Sequence, residues 1–268
     1  MKIEKKQILS ALVIIAFGLV VSLAGFRAEN TGSAENTESA DTSENMADTL
    51  DMDQSSSADV PENSDDYNGM KIDFERLKEQ NSDIYAWITV PGTEIDYPVL
   101  QKSDTEDPYD NYYLDHQADL SEGFPGVIYS QPVNHRDFTD AVTVLYGHNL
   151  KSGEMFSSLH FFEDKGFFDQ NSLIIIYTPE KTFTYEIYAA IDFSDALLPY
   201  EYDFTKSTEV QRHLVDVRNC EGNFREETKL SEGARILVLS TCYSDKADRR
   251  LLVEAVLTEE LTAGLPEE

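Results

Sequence analysis

Basic residues are scarce in this chain of 268 residues, where 21 Lys and Arg stand against 51 Asp and Glu. The formal net charge is therefore -30 with His neutral. A polyanion of this kind repels the phosphate backbones of DNA and RNA. The composition thus excludes nucleic acid as an expected partner.

Cysteine is scarcer still, since only Cys220 and Cys242 occur. Two cysteines are too few for a disulfide scaffold or a Cys-rich zinc module, so the fold must depend on a buried core. The histidines fit no metal-ligand spacing, because neither H-x-x-x-H nor C-x-x-C is found. We therefore expect no metal site and no other cofactor.

The N-terminus has the pattern of an export signal. Three lysines among the first six residues precede Ile8–Phe26, a run of nineteen residues without a charge. That length is about enough to cross a bilayer as a helix, and the flanking charges predict that the rest of the chain lies outside. We predict a membrane anchor over residues 1–27. A cleaved signal peptide is the alternative, because Ala24 and Gly25 are small enough for a peptidase.

Residues 28–66 form a second zone of different composition. Twelve acidic residues and no Lys or Arg lie within Glu29–Asp66, which also has almost no large apolar side chains. Such a segment cannot bury enough surface to offset the entropy cost of ordering it. We predict a flexible acidic linker between the anchor and the remaining residues, 67–268.

Residues 67–268 are predicted to form one mainly β domain. Segments rich in Val, Ile, Tyr, Phe and Thr alternate with Gly, Pro and Asp, the pattern of strands and turns. The predicted strands are Tyr85–Val90, Val127–Ser130, Ala141–Tyr146, Leu173–Thr178, Thr182–Phe193, Arg235–Thr241 and Arg250–Leu257. The predicted helices are Asp73–Gln80, Met155–Phe162 and Ser207–Cys220. This order favours a mainly antiparallel barrel with short helices on its loops.

Two predicted strands end at residues that can carry chemistry. One runs into His148, and the other delivers Cys242 at its end. A nucleophilic cysteine needs partial exposure, a nearby cation that favours the thiolate, and a group that carries the proton of the leaving group. His148 can carry that proton, and Arg249 or Arg250 can supply the positive charge.

Each cysteine also has an ordinary interpretation. A free cysteine is more often an inert buried residue than a nucleophile, and this alternative applies to Cys242. Cys220 follows a helical pattern without a cationic strand partner, so it is interpreted as structural. A disulfide between the two is a further alternative, since the domain is predicted to be exported.

Strand parity separates the two arginines. Leu251, Val253, Ala255 and Leu257 share one apolar face, which should point into the barrel. Arg250 has the opposite parity and should project to the outer face beside Cys242. Arg249 has the inward parity at the first residue of the strand, so we expect it to bend away to solvent.

Four ordered motifs carry a resemblance to a known family. The chain contains Tyr146-Gly-His-Asn149 with Lys151-Ser-Gly-Glu-Met-Phe156, then Leu239-Ser-Thr-Cys242 and Arg250-Leu-Leu-Val253. This set, behind an N-terminal anchor, resembles the active site of class B sortases. The segment Asn81–Thr93 with Ile95–Val99 resembles the first barrel strand of that class, and Tyr113–His116 with Gly126–Tyr129 resembles the segment after it. The likeness spans nearly all of residues 73–258.

The resemblance implies a closed eight-stranded sortase barrel and a cysteine transpeptidase. Cys242 would attack the C-terminal sorting signal of an exported protein to give a thioester, His148 would protonate the departing amine, and Arg250 would stabilise the oxyanion. An amine of a peptidoglycan precursor or a pilin would then accept the protein. Ser240 and Thr241 would be substrate contacts or plain strand residues. The enzyme would be a single-pass protein of a Gram-positive cell membrane, with its catalytic domain extracytoplasmic.

Two departures from the class concern the rim of the substrate groove. Ser130 and Gln131 follow the strand Val127–Tyr129 where many members have an acidic residue, and the stretch Tyr243–Arg249 is short. We expect both to affect the preferred sorting motif more than the chemistry.

Two other classes of function remain as alternatives. One is a hydrolytic cysteine protease, although papain-like enzymes place Cys ahead of His in the chain and carry a block that is absent here. The other is a noncatalytic, membrane-anchored binding domain in which His148 and Cys242 are incidental.

Overall fold

The computed structural model describes residues 72–262. The predicted anchor over residues 1–27 and the predicted linker over residues 28–66 lie outside the described residues. Among residues 72–262, no helix has both the length and the apolar character needed to cross a bilayer.

Strands dominate the described part of the chain, in agreement with the sequence. The strands of residues 72–262 are β1 (Ile84–Thr89), β2 (Asp96–Leu100), β3 (Ile128–Tyr129), β4 (Val142–Tyr146), β5 (Leu173–Tyr177), β6 (Lys181–Ser194), β7 (Glu221–Phe224), β8 (Ile236–Cys242) and β9 (Arg249–Thr262). The α-helices are α1 (Phe74–Gln80), α2 (Lys165–Gln170), α3 (Leu198–Glu201) and α4 (Ser207–Arg218). Two 3-10 helices cover Tyr112–Leu114 and Ser157–Glu163.

Eight of these strands close into a barrel. Their hydrogen-bonded order is β5-β1-β2-β3-β4-β8-β9-β6, and pairing of β5 with β6 completes the circle. The short β7 extends the edge of β6 and does not belong to the closed ring. The predicted mainly β, eight-stranded barrel is thus confirmed. Two neighbouring pairs, β2 with β3 and β4 with β8, are parallel.

The seven predicted strands and the helices near Asp73 and Ser207 are confirmed, and the predicted helical stretch Met155–Phe162 is present as a 3-10 helix. That segment is largely the 3-10 helix Ser157–Glu163, which begins without a side-chain cap. Strands β2 and β7 were not among the predicted strands, although the β2 segment is part of the resemblance. Pro98 interrupts the apolar pattern of β2, and β7 has only four residues, two of them Gly222 and Asn223.

The barrel interior is filled by alternate apolar side chains. Leu237 and Leu239 of β8 are fully buried there, and so are Leu251, Val253 and Ala255 of β9. Because successive strand residues point to opposite faces, this confirms the inward parity assigned to β9. The interior is therefore a packed core with no room for a substrate.

A second apolar layer covers part of the outside. Side chains of opposite parity, such as Val144 of β4, Val238 of β8 and Leu252 of β9, pack with Val210 and Val217 of α4. These strands are thus buried on both faces, which explains why they appear in the sequence as continuous apolar runs. This outer layer does not extend to the ends of β4 and β8, where the candidate site lies.

One charged residue interrupts this outer layer. Glu254 of β9 is fully buried, and it accepts hydrogen bonds from the hydroxyl of Tyr188 and from Nε2 of His213 at 3.0 Å. Burial together with Glu254 raises the pKa of Tyr188 well above its ordinary value. These two hydrogen bonds pair the buried carboxylate and tie α4 to β6 and β9, although Nδ1 of His213 is buried without a partner.

We predict that Glu254→Ala lowers the free energy of unfolding by about 3 kcal/mol, because it leaves buried donors on Tyr188 and His213 without their acceptor. Urea denaturation followed by circular dichroism measures the change. Glu259→Ala, an exposed position on the same strand, is the control and should cost little. Equal losses in the two variants would contradict the prediction.

Candidate active site

The parallel pair β4–β8 brings His148 and Cys242 to the same level of the sheet. The two strands are in register from Val142 opposite Ile236 to Tyr146 opposite Ser240. His148 and Cys242 each lie two residues beyond that last pair. Two segments distant in sequence therefore end side by side.

Cys242, Arg250 and His148 all have the outer parity of their strands. Cys242 lies four residues after Val238, whose side chain packs on the outer face, and His148 lies four residues after Val144. Arg250 is directly opposite Cys242 in the antiparallel pair β8–β9. Facing residues of such a pair project to the same side. The sheet thus collects three strand ends on one outer surface.

The thiol of Cys242 is half-buried, whereas the neighbouring Tyr129 of β3 is buried. Burial, reinforced by the nearby Cys242, raises the pKa of Tyr129 far above its ordinary value. The Tyr129 hydroxyl therefore stays protonated, and it donates to Oδ1 of Asn111 at 3.1 Å. Cys242 lies beside a neutral aromatic wall and can be reached from solvent.

Cys220 occupies a different environment at the end of α4. Its Sγ donates to the carbonyl of Asp216 at 3.3 Å, and burial raises the pKa of its thiol. Both cysteines are free, so the alternative of a disulfide between Cys220 and Cys242 is wrong. The environment of Cys220 agrees with a structural role.

The imidazole of His148 is held by a loop that follows β2. Its Nε2 lies 2.8 Å from the carbonyl of Leu114, and its ring packs edge to face on Phe124 at 4.8 Å. Because a carbonyl only accepts, Nε2 carries a hydrogen. Gly147 precedes His148 because a Cβ there would lie 2.6 Å from the ring of Phe156. The backbone can therefore pass under Phe156 only with glycine.

The two arginines at the start of β9 are in different surroundings. Arg249 donates through its guanidinium to Oδ1 and to the carbonyl of Asp192 on β6. The expectation that Arg249 bends away to solvent is thus wrong, because β6 offers it a carboxylate. Nη1 of Arg250 donates to the carbonyls of Ala247 at 3.2 Å and Arg249 at 2.8 Å. These bonds hold the Arg250 guanidinium without neutralising its charge.

The two residues before Cys242 face opposite sides of β8. Thr241 has the inward parity and is only 2% exposed, inside the barrel. As a substrate contact it is wrong, because its side chain belongs to the packed interior. Ser240 has the parity of Cys242 on the outer face and is 8% exposed. Its possible contact with substrate stays a prediction.

Ser130 and Gln131 serve the packing behind the site. Ser130 is 1% exposed and shares a hydrogen bond of 2.8 Å with the hydroxyl of Tyr85. It lies in the interior, so the expectation that it alters the groove rim is wrong. Gln131 donates to Oδ1 of Asn111 at 2.8 Å and accepts from the Tyr146 hydroxyl at 3.3 Å. Gln131 thereby connects β4 to the loop that holds His148.

The other histidines each pair with one carboxylate. His116 bonds Asp115, His135 bonds Asp140, His160 bonds Glu163 and His213 bonds Glu254. Within residues 72–262, no group of three or more His, Cys, Asp or Glu side chains is arranged to hold a metal ion.

Asn149 and His160 contact the main chain of Cys242, and Glu163 holds His160, but none of the three is predicted from the sequence as a functional residue. Nδ2 of Asn149 donates to the carbonyl of Cys242 at 3.0 Å and lies 2.9 Å from Nε2 of His160. Nδ1 of His160 bonds Oε2 of Glu163 at 2.6 Å. The spacing of His160 and Glu163, three residues apart in a helical segment, was an available signal for the pair. Its contact with Cys242 depends on the fold.

Known proteins share this arrangement of sequence and fold. The sortase domain family matches residues 88–258 of the chain. Sortase B of Listeria monocytogenes is 31% identical over 170 residues, which cover 63% of this chain and 67% of that relative.

Solved structures agree. Sortase B of Clostridium perfringens superimposes with a TM-score of 0.62 at 28% identity, over 69% of this chain and 100% of that one. A Streptococcus pyogenes class B sortase involved in pilus biogenesis gives a TM-score of 0.59 at 25% identity, over 70% of this chain and 98% of that one.

The barrel and these relatives define the class of protein as a cysteine transpeptidase of the cell envelope. The chain belongs to the sortase family, and the relatives found place it in class B. This membership decides against the noncatalytic binding domain and favours acyl transfer over plain hydrolysis.

The loop between β8 and β9 is fastened by Asp192. Lys246 Nζ lies 2.7 Å from its Oδ2, and Arg249 binds its Oδ1. Burial acts to raise the pKa of Asp192, but the hydrogen bonds from Lys246 and Arg249 outweigh it and hold that pKa below the ordinary value. The carboxylate therefore contributes stability that is complete above the pKa of unfolded Asp and lost as pH falls through the depressed folded pKa.

We predict that Asp192→Asn lowers the melting temperature by roughly 2 to 4 °C near neutral pH, because the amide has no charge to pair with Lys246 and Arg249. The difference from the wild type should shrink as pH falls below the ordinary Asp pKa of about 3.9, where the native carboxylate becomes protonated too. Thermal unfolding over a pH series measures it, with Asp195→Asn as an exposed control. A difference that is constant with pH would contradict the prediction.

Proposed function

We propose that Cys242 is the nucleophile of this class B sortase. Its thiolate attacks a backbone carbonyl in the C-terminal sorting signal of an exported protein, and the S–C bond forms as the C–N bond to the next residue breaks. The product is a thioester to Cys242 and a free amine. An acceptor amine then attacks the thioester, forms a new amide and releases the thiolate.

His148 manages the protons of both steps. His148 acts as the imidazolium partner of the Cys242 thiolate. The hydrogen on its Nε2, bonded to the Leu114 carbonyl in the structure, passes to the departing amine when the substrate takes the place of that carbonyl, and this leaves the imidazole neutral. The neutral imidazole then accepts a proton from the incoming amine. The edge-to-face contact with Phe124 keeps the ring in one orientation during this exchange.

Arg250 stabilises the negative charge that develops on the substrate oxygen. Its position opposite Cys242 brings the guanidinium to the same surface as the thiol. The bonds from Nη1 to two loop carbonyls orient the group in advance, so little reorganisation is needed in the transition state. A fixed cation also favours the thiolate over the thiol.

The single observation that carries this proposal is the convergence of β4, β8 and β9. Their ends present an imidazole, a half-buried thiol and a guanidinium on one outer face. Exposed apolar side chains adjoin them, with Phe124 71% and Leu114 45% exposed. These two residues also contact His148 and offer an apolar surface to a sorting peptide.

The substrates and the location complete the proposal. The acceptor is an amine of a peptidoglycan precursor or of a pilin, and the pilus role of the Streptococcus pyogenes relative supports the second. Residues 1–27 anchor the enzyme in the cell membrane as a single span. Residues 28–66 link this anchor to the catalytic domain, residues 67–268, which lies on the extracytoplasmic side. Water in place of the amine would give the hydrolytic alternative.

We predict that Cys242→Ala abolishes cleavage and transfer of a sorting peptide, because no thioester can form. Cys220→Ala should keep most of the activity, since Cys220 lies at the end of α4 with a raised thiol pKa. A fluorescent peptide with an added amine acceptor reports both reactions. Comparable losses in the two variants would count against Cys242 as the nucleophile.

We predict that Arg250→Ala lowers turnover by about a hundredfold, or about 3 kcal/mol of transition-state stabilisation. Arg249→Ala should change turnover much less, because its guanidinium binds Asp192. Initial rates of both variants on one peptide measure the difference, and melting temperatures show the structural cost of Arg249→Ala. A larger rate loss for Arg249→Ala would refute the assignment.

A further inference from the structure

The backbone pairing of β4 with β8 stops just short of the candidate site. The last main-chain bond on this side runs from the N–H of Gly147 to the carbonyl of Ser240 at 3.2 Å. In a parallel ladder the next bond would come two residues further along each strand, from the N–H of Asn149 to the carbonyl of Cys242. The chain turns away at this point, since Phe156 donates its N–H to the carbonyl of His148 at 3.0 Å.

The side chain of Asn149 supplies the bond that the backbone does not make. Its Nδ2 donates to the carbonyl of Cys242 at 3.0 Å. Asn149 directly follows His148 in the chain, so this one contact joins the backbone that carries the imidazole to the backbone that carries the thiol. An amide nitrogen must face the carbonyl, because an amide oxygen would offer only a second acceptor.

His160 and Glu163 hold the Asn149 amide in this orientation. Glu163 accepts from Nδ1 of His160 at 2.6 Å, which aims Nε2 at Asn149 and at the Cys242 carbonyl, 2.9 Å and 3.1 Å away. The ring of Tyr243 closes the other side by an edge-to-face contact at 5.1 Å. The imidazole is thereby fixed by a carboxylate and an aromatic ring.

We propose that Asn149, supported by His160 and Glu163, is a positioning residue that fixes the main chain of Cys242 level with His148. This inference depends on the proposed role of Cys242 as the nucleophile and extends it to residues that do not touch the substrate. Displacement of a nucleophile by about 1 Å can reduce the rate by about a hundredfold. A bond on the nucleophile's own carbonyl limits such displacement.

The hydrogen bond from Asn149 to the Cys242 carbonyl is compatible with both protonation states of His160. A neutral His160 accepts the second hydrogen of the Asn149 amide, and the first hydrogen stays on the Cys242 carbonyl. A protonated His160 donates from Nε2 to the same carbonyl, whose two lone pairs accept both donors. In each state Asn149 keeps its bond to Cys242. We therefore expect another side chain with a polar atom near the Nε2 position to perform the role of His160.

The test compares variants of Asn149 and His160 in peptide cleavage. Asn149→Ala removes the amide, and Asn149→Asp keeps its size but has no N–H to donate. We expect each to lower kcat about tenfold or more with KM changed by less than about twofold. His160→Leu should lower kcat about fivefold or more, whereas His160→Gln should stay within about threefold of the wild type because its amide provides a donor and an acceptor.

Matched controls separate positioning from folding. Asn171→Ala removes an amide that also donates to a main-chain carbonyl, that of Phe167 at 2.9 Å, away from Cys242. His135→Leu breaks a histidine–carboxylate pair with Asp140. Both should keep kcat near the wild-type value. Melting temperatures are used to choose an assay temperature at which every variant is folded. If Asn149→Ala does not fold, Asn149→Asp and His160→Leu still test the proposal.

The outcomes distinguish this proposal from the proposed function. A wild-type kcat for Asn149→Asp beside an inactive Cys242→Ala would overturn the positioning role and leave Cys242 as the nucleophile. Equal losses for His160→Gln and His160→Leu would overturn the supporting role of His160. Full activity of Cys242→Ala would remove the proposed function itself, and the positioning role with it.

Discussion

The site depends on one constraint, the parallel registration of β4 with β8. Parallel neighbours end at the same edge of a sheet, so a residue placed just past each end meets its counterpart without further adjustment. Here those residues are His148 and Cys242. A shift of one residue in this register would turn one of the two side chains to the other face of the sheet. The buried layers on both faces of β4 and β8 oppose such a shift, because every apolar side chain would change sides with it.

The same packing explains why the site lies outside the barrel. The interior is filled by residues such as Leu239 and Val253, which leaves no cavity for a peptide. Helices α3 and α4 cover the outer face over much of β4, β8 and β9. The hydrogen bond between His213 and Glu254 holds α4 against β9. Only the strand ends emerge from this cover. Rigid strands therefore carry side chains that a peptide can reach.

Local sequence patterns predict where a strand lies and which of its faces is buried. They do not predict contacts between segments that are distant in the sequence. The apolar runs of β4, β8 and β9, the strand-end positions of His148 and Cys242, and the outer parity of Arg250 all follow from period-2 patterns. The parallel pairing of β4 with β8 joins segments about 90 residues apart, and no local pattern encodes it. The same limit applies to Arg249, whose partner Asp192 lies on β6, and to Asn149 and His160, which meet Cys242 only in the folded chain. The family resemblance supplied the fold that these patterns alone could not fix.

Electrostatics explains why a Cys242 thiolate needs a nearby cation and which of the local cations is available for that role. The domain is strongly acidic, which at long range disfavours a thiolate, although charges beyond about 8 Å are largely screened at physiological ionic strength. The short segment Tyr243–Arg249 and the first residues of β9 carry three cations, of which Arg250 lies opposite Cys242. Lys246 and Arg249 both bind Asp192, so their charges are largely compensated. Arg250 binds only main-chain carbonyls among the residues described, so no carboxylate there neutralises its charge. Asp192 therefore has two effects: it fastens the loop, and by pairing with Lys246 and Arg249 it leaves Arg250 as the cation available for the role proposed for it beside Cys242.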